Sequence, residues 1–153
     1  GSGTILREVE AAADLLRDDF GVDADVFSMT SFNELRRDAQ ACERRNRLSP
    51  GEEPRRAYVE ELLGDGDAPV VAATDYIRAF AEQIRPWVHA PYTVLGTDGY
   101  GRSDWRKTLR RFFEVDRHHV VLAALHSLGD VEGAKRAIAE YDIDVQAEAP
   151  WRR

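Results

Sequence analysis

PVVAATDYIRAFAEQIRPWVHAPYTVLGTDGYGRSDW, residues 69–105, is the stretch whose reading decides how this chain folds. It opens on a short apolar run, PVVAAT (69–74), of the length and β-branched character of a buried strand. Ile77, Phe80, Ala81, Ile84 and Val88 then recur at helical spacing. A second apolar run, YTVLG (92–96), ends in glycine and leads through GTDGYGRSD toward a helix expected over Ser103–Phe113. Strand, helix, strand is the unit of a parallel sheet, because parallel neighbours need a crossover between them.

Working outward, the same alternation continues. On the N-terminal side Ile5, Val9, Ala12, Leu16 and Phe20 mark an amphipathic helix over residues 4–20, closed by Gly21. ADVFSMT (24–30) reads as a third strand. Ser31 and Glu34 form a capping box for a highly charged second helix. A Pro- and Gly-containing loop (47–56), a short helix (57–63) and a GDGDAP turn lead into the first strand. On the C-terminal side Asp116 heads a helix stopped by Gly129, a last helix spans Val131–Tyr141, and DVQAEAPWRR reads as an extended tail. The expected organisation is one α/β domain over residues 1–144 and a tail over 145–153. Its core is a small, mainly parallel sheet between helical layers. A G-x-G directly before a helix normally follows a strand. The opening GSGT therefore predicts a strand ahead of Gly1, and a longer polypeptide with it.

Composition narrows the function. The 153 residues carry a formal net charge of −7, which disfavours nucleic acid as a partner. No apolar run is long enough to span a bilayer, and no leader pattern stands at the front. The single cysteine, Cys42, excludes an internal disulfide and suits a cytoplasmic location. Arginines cluster at 36–37, 44–47, 55–56 and 110–111, either as solvated or ion-paired faces or as an interface.

Chemistry-bearing patterns are few. The GDG at 64–66 lacks the downstream asparagine that a magnesium–diphosphate site needs, since Asn33 and Asn46 both precede it. His89, His118, His119 and His126 fall at no metal-ligating spacing, and no G-x-S-x-G elbow occurs. Two glycine loops remain: Ser2, Gly3 and Thr4 before the first helix, and Thr97, Asp98, Tyr100, Arg102, Ser103 and Asp104 after the YTVLG strand. Each is either an anion loop or a structural turn that meets another surface. Against a phosphate, the second loop reverses the dinucleotide fingerprint, has no lysine and places Asp98 and Asp104 beside the anion position.

The order GSGTILREV, DVFSMTSFNELRRDAQACERRN, VVAATDYIRAFAEQIRP, YTVLGTDGYGRSDWRKTLRRFFEVDRHHVV and YDID resembles the homodimeric bacterial decarboxylating component of pyruvate dehydrogenase complexes. The likeness is to its carboxy-terminal, transketolase-like domain. The resemblance implies an oxidoreductase that decarboxylates pyruvate on thiamine diphosphate with Mg²⁺ and passes acetyl to the lipoyl groups of a partner acyltransferase. It also implies that cofactor, metal and catalytic groups belong to upstream domains, with none on this chain. The expected role is then a non-catalytic domain packed against upstream domains and a second subunit, without nucleic acid or membrane as partner. The alternative is a free-standing nucleotide- or anion-binding module that uses the glycine loops.

Overall fold

The structure is a computed structural model of the chain and describes residues 1–152. Two parallel strands, β1 (Val70–Ala73) and β2 (Tyr92–Leu95), pair in the register Val70↔Tyr92 through Ala73↔Leu95. Seven α-helices surround them among the described residues: α1 (Leu6–Phe20), α2 (Phe32–Leu48), α3 (Tyr58–Leu63), α4 (Arg78–Glu82), α5 (Arg106–Phe112), α6 (Arg117–Ser127) and α7 (Val131–Glu140).

Side chains of a strand alternate between faces, and here both faces are buried. Ala72, Tyr92 and Val94 pack with Phe32, Ala39 and Cys42 of α2, Val59 of α3, Ala81 of α4, Ile84 and Trp87. Ala73, with Val71 and Leu95 beside it, packs with Ile5, Ala12, Leu16, Val121, Leu125 and Ala137, from α1, α6 and α7. The result is three layers, helices–sheet–helices, as the alternation of elements predicts.

The sequence reading and the structure part in four places. ADVFSMT is extended but is not a strand; only Gly1 meets it through ladder-like hydrogen bonds, Gly1 N to Phe27 O (2.8 Å) and Met29 N to Gly1 O (2.8 Å). The helix expected across Ile77–Val88 stops at Glu82, and a 3₁₀ turn, Arg85–Trp87, replaces its end. Pro86 explains this, because it lacks the N–H that an α-turn needs. The helix expected from Ser103 begins at Arg106, since Asp104 accepts from the adjacent Trp105 N–H (2.7 Å) and does not cap a following turn. The tail forms a 3₁₀ turn at Pro150–Arg152, with Pro150 buried.

Helix ends otherwise follow the sequence. The Ser31 Oγ accepts from Glu34 N–H (3.2 Å), and Asp116 Oδ1 from His119 N–H (3.0 Å). Among the described residues no helix is long and apolar enough to cross a membrane.

A candidate contact face at the strand ends

Both glycine loops meet at the C-terminal ends of the strands, the usual location of function in parallel sheets. Ser2 is buried, and its hydroxyl donates to Thr74 Oγ1 (2.7 Å), which in turn accepts from Tyr76 N–H (3.1 Å). Thr4 Oγ1 donates to Asp75 Oδ2 (3.3 Å). A Cβ at Gly3 would lie 2.6 Å from Asp75 Oδ1, so the carboxylate rests directly on this turn. The place where the first loop would hold an anion is therefore faced by the chain's own anion. A phosphate there would meet like charge.

The second loop is tied in the same way. Thr97 N–H donates to Tyr76 O (2.9 Å) and Thr97 Oγ1 to Asp75 O (2.8 Å). Asp98 Oδ1 accepts from Arg78 N–H (2.9 Å), at the first residue of α4. Arg102 lies over the Phe112 ring at 4.1 Å. Gly96 is required by close approach: a Cβ there would stand 2.9 Å from both Arg78 N and Tyr76 O. Gly99 has a φ of +108°, and its added Cβ would meet Trp151 Cα at 3.0 Å. The tail thus closes against the loop, with Arg78 over the Trp151 ring at 5.8 Å.

Of the candidate residues, the structure gathers Gly3, Thr4 and Thr97 around Asp75, with Ser2 on the adjacent Thr74. Asp98 accepts from the distant Arg78 N–H and Asp104 from the adjacent Trp105 N–H. Tyr100 and Ser103 face solvent. A shallow cleft of about 310 Å³ lies between Thr4, Asp75, Thr97, Tyr100 and Arg106. Tyr100 (88% exposed) lines it, and further exposed rings adjoin its lining residues in the chain or by contact: Trp105 (83%) precedes Arg106, Tyr76 follows Asp75 and meets Phe80 at 5.4 Å, and Trp151 packs against Gly99. Aromatic residues concentrated on one exposed face are the composition of a contact surface.

Asp65 of the GDG turn is held by Arg56 through two hydrogen bonds, 2.6 and 2.9 Å. Among the described residues no three His, Cys, Asp or Glu side chains converge. His89 lies 3.3 Å from Glu60, His118 stacks on Tyr141, and His119 Nδ1 pairs with Asp116 (2.7 Å). The residues present do not fit a magnesium–diphosphate group. Cys42 is buried, and desolvation holds its thiol above the ordinary range, the reverse of an activated nucleophile.

One residue escaped the sequence reading. Glu8, 5% exposed, accepts from Arg110 Nη1 (2.6 Å), Arg117 Nε (3.0 Å) and Arg117 N–H (3.1 Å). Burial works to raise its pKa, but the hydrogen bonds and charges of Arg117 and Arg110 outweigh it and hold the carboxyl below its usual range. The signal was available: Glu8 shares the apolar stripe of Ile5 and Ala12, where a charge demands partners. It joins α1 to α5 and α6. The arginine clusters largely resolve the same way, into pairs such as Arg45–Glu52, Arg55–Asp38 and Arg111–Asp116.

Three layers around a parallel sheet, with loops converging at the strand ends, place the chain in a class, and comparison with known proteins gives the family. Residues 1–116 match the family model of the transketolase-like TK C-terminal domain, and the chain belongs to that family. It is 62% identical to the pyruvate dehydrogenase E1 component of Pseudomonas aeruginosa, over 98% of this chain and 18% of that protein. It is 54% identical to the E1 component of Cupriavidus necator and 51% to that of Escherichia coli K12, over 98% of this chain and 17% of each relative. The chain thus spans about a sixth of the length of the curated relatives it matches.

Proposed function

We propose that the chain is the assembly-supporting, non-catalytic domain of a pyruvate dehydrogenase decarboxylating component. The observation that carries this is the 62% identity to an E1 component across 98% of the chain. Two features of the fold support the non-catalytic part. The first glycine loop faces a carboxylate of the chain itself, Asp75, and the second carries its own, Asp98, bound to Arg78 N–H. Among the described residues, Ser2, Thr4, Thr97 and Asp98 at the strand ends spend their side chains on hydrogen bonds within the chain. In this reading the polypeptide beyond these residues binds thiamine diphosphate and Mg²⁺ and carries the catalytic groups. The enzyme is a cytoplasmic homodimer that passes acetyl to the lipoyl groups of an acyltransferase. Tyr76, Tyr100, Trp105 and Trp151 form this domain's contact with the rest of the enzyme.

The test assays pyruvate decarboxylation with thiamine diphosphate and Mg²⁺ for the native-length polypeptide and for the 153-residue chain. Turnover by the first alone is expected; turnover by the second, or by neither, overturns the reading. Calorimetric titration of the 153-residue chain with ATP and with NAD separates it from a nucleotide-binding module. Micromolar binding would favour the module.

A further inference from the structure

The C-terminal end of α7 is held by a side chain from another helix. A helix leaves its last carbonyls without partners, and the negative end of its dipole lies there. Arg111, on α5, meets both needs: its Nη2 donates to Tyr141 O (3.0 Å) and to Asp142 O. Asp142 takes a φ of +51°, a left-handed conformation that an L side chain adopts at a cost. Here the chain turns out of α7 into the tail, which ends with Pro150 buried and Trp151 against Gly99. Arg111 is thus the clamp at the root of the tail.

The clamp leans on a histidine. Arg111 Nη1 lies 3.5 Å from His118 Nδ1, and the His118 ring stacks on Tyr141 with centroids 4.4 Å apart. A guanidinium can only donate, so His118 Nδ1 is the acceptor, with the ring neutral and its proton on Nε2. An imidazolium in the same place would turn an N–H toward the guanidinium and set two cations side by side.

The groups around His118 favour the neutral ring. Asp116, Arg117 and His119 face it from its own helix, and Arg111 from α5. From the end of α7 comes the Tyr141 ring, whose hydroxyl donates to Asp19 of α1 (2.9 Å). Burial lowers the His118 pKa most. Asp116 opposes it, but this carboxylate is already engaged by the His119 N–H and ring. Arg111, Arg117 and His119 add to the lowering, and the pKa stays below its ordinary value.

We propose that His118 is a pH-sensitive gate on the C-terminal tail: neutral, it lets Arg111 clamp the Tyr141 and Asp142 carbonyls; protonated, it drives Arg111 off them. Arg111 has another acceptor within reach, Asp116 Oδ2 at 3.8 Å. Moving there gives up the two carbonyls, so the turn at Asp142 loses what offsets its conformation, and residues 142–149 loosen. The body of α7 stays in place, because Tyr141 N–H still donates to Ala137 O (3.0 Å). At the far end of the tail, Pro150 and Trp151 hold less firmly to the Gly99 loop. In the released tail His118 returns toward its ordinary value of 6.5. The clamp is therefore complete above pH 6.5 and is lost as pH falls through the lower, clamped value.

Hydrogen exchange read by mass spectrometry on the native-length polypeptide tests this, at pH 7.5 and pH 5.5 with intrinsic rates corrected. Peptides spanning residues 142–151 are expected to exchange at least about threefold faster at the lower pH, while peptides of β1 and β2 change far less. A tail that exchanges equally at both pH values overturns the proposal. His118→Phe keeps a ring against Tyr141 but takes no proton, so its tail is expected to exchange alike at both pH values. His118→Asn keeps an acceptor toward Arg111, is expected to behave the same way, and serves where phenylalanine disturbs the fold. A parent-like pH response in either variant assigns the effect to another group and overturns the gate. Arg111→Met removes the clamp, and fast tail exchange at both pH values is expected; parent-like exchange there contradicts the proposal. No readout involves pyruvate turnover, so the gate and the enzymatic reading stand or fall separately.

Discussion

At the scale of single residues, the most consequential group is Glu8. Among the described residues it is the buried carboxylate that joins α1 to α5 and α6. Glu8→Ala leaves Arg110 and Arg117 without their shared acceptor. Because Arg117 is partly exposed, the expected cost is about 2 kcal/mol, below the range for fully buried pairs. Urea denaturation of the variant and the parent measures it. The folded-state pKa of Glu8 lies below its unfolded value, so its contribution is complete above about pH 4.5 and is lost as pH falls through the folded value. Gly1 acts in the same direction in a higher pH window. Its free amine has a pKa lowered from 8.0 to about 6, so the unfolded chain takes up the proton first. The 153-residue chain is therefore expected to lose about 2 kcal/mol between pH 8 and pH 6. A chain that continues upstream of Gly1 has a peptide N–H there and loses this dependence. Denaturant midpoints at pH 8 and pH 6 on both chains decide the matter. Gly96→Ala forces a Cβ against the backbone of Tyr76 and Arg78, and a loss of about 1–3 kcal/mol is expected in the same assay.

At the scale of elements, the sequence was legible wherever a local pattern also had its tertiary partner. PVVAAT and YTVLG became β1 and β2 because each has a neighbour in register and cores on both faces. ADVFSMT has the same local character, but among the described residues its backbone pairs across only with Gly1, so pattern without a partner strand did not yield a strand. The end of the Ile77–Val88 helix was misread for a different reason. Apolar spacing continues through Ile84 to Val88, but Pro86 removes a donor, and the chain tightens into a 3₁₀ turn. The Asp116 cap was readable from sequence, and it carries more than capping: its carboxylate also accepts from the His119 ring at 2.7 Å. Asp116→Ala is expected to cost about 1–2 kcal/mol and to fray the first turn of α6, visible as faster exchange at His119 and Val120. The glycine loops were legible as turns. Asp75, which faces the first of them, was not, because a residue seventy positions away must be folded into place before its charge matters.

At the scale of the whole molecule, sequence resemblance and fold converge on one family, while the aromatic face and the strand cleft became visible only in three dimensions. A cleft with mainly apolar walls runs between residues 22–29 and β1, and the face around Tyr100 and Trp105 leaves large rings in water. In the proposed function it is the aromatic face that joins the domain to the rest of the enzyme. The measurement that tests the central claim most directly is made on the native-length enzyme carrying Tyr100→Ser and Trp105→Ser. Sedimentation and pyruvate turnover are read from the same samples at saturating thiamine diphosphate and Mg²⁺. An assembly role predicts subunit association at least tenfold weaker, with turnover per assembled enzyme within about twofold of the parent. Intact association with turnover reduced tenfold or more would contradict it and place these residues in the chemistry instead.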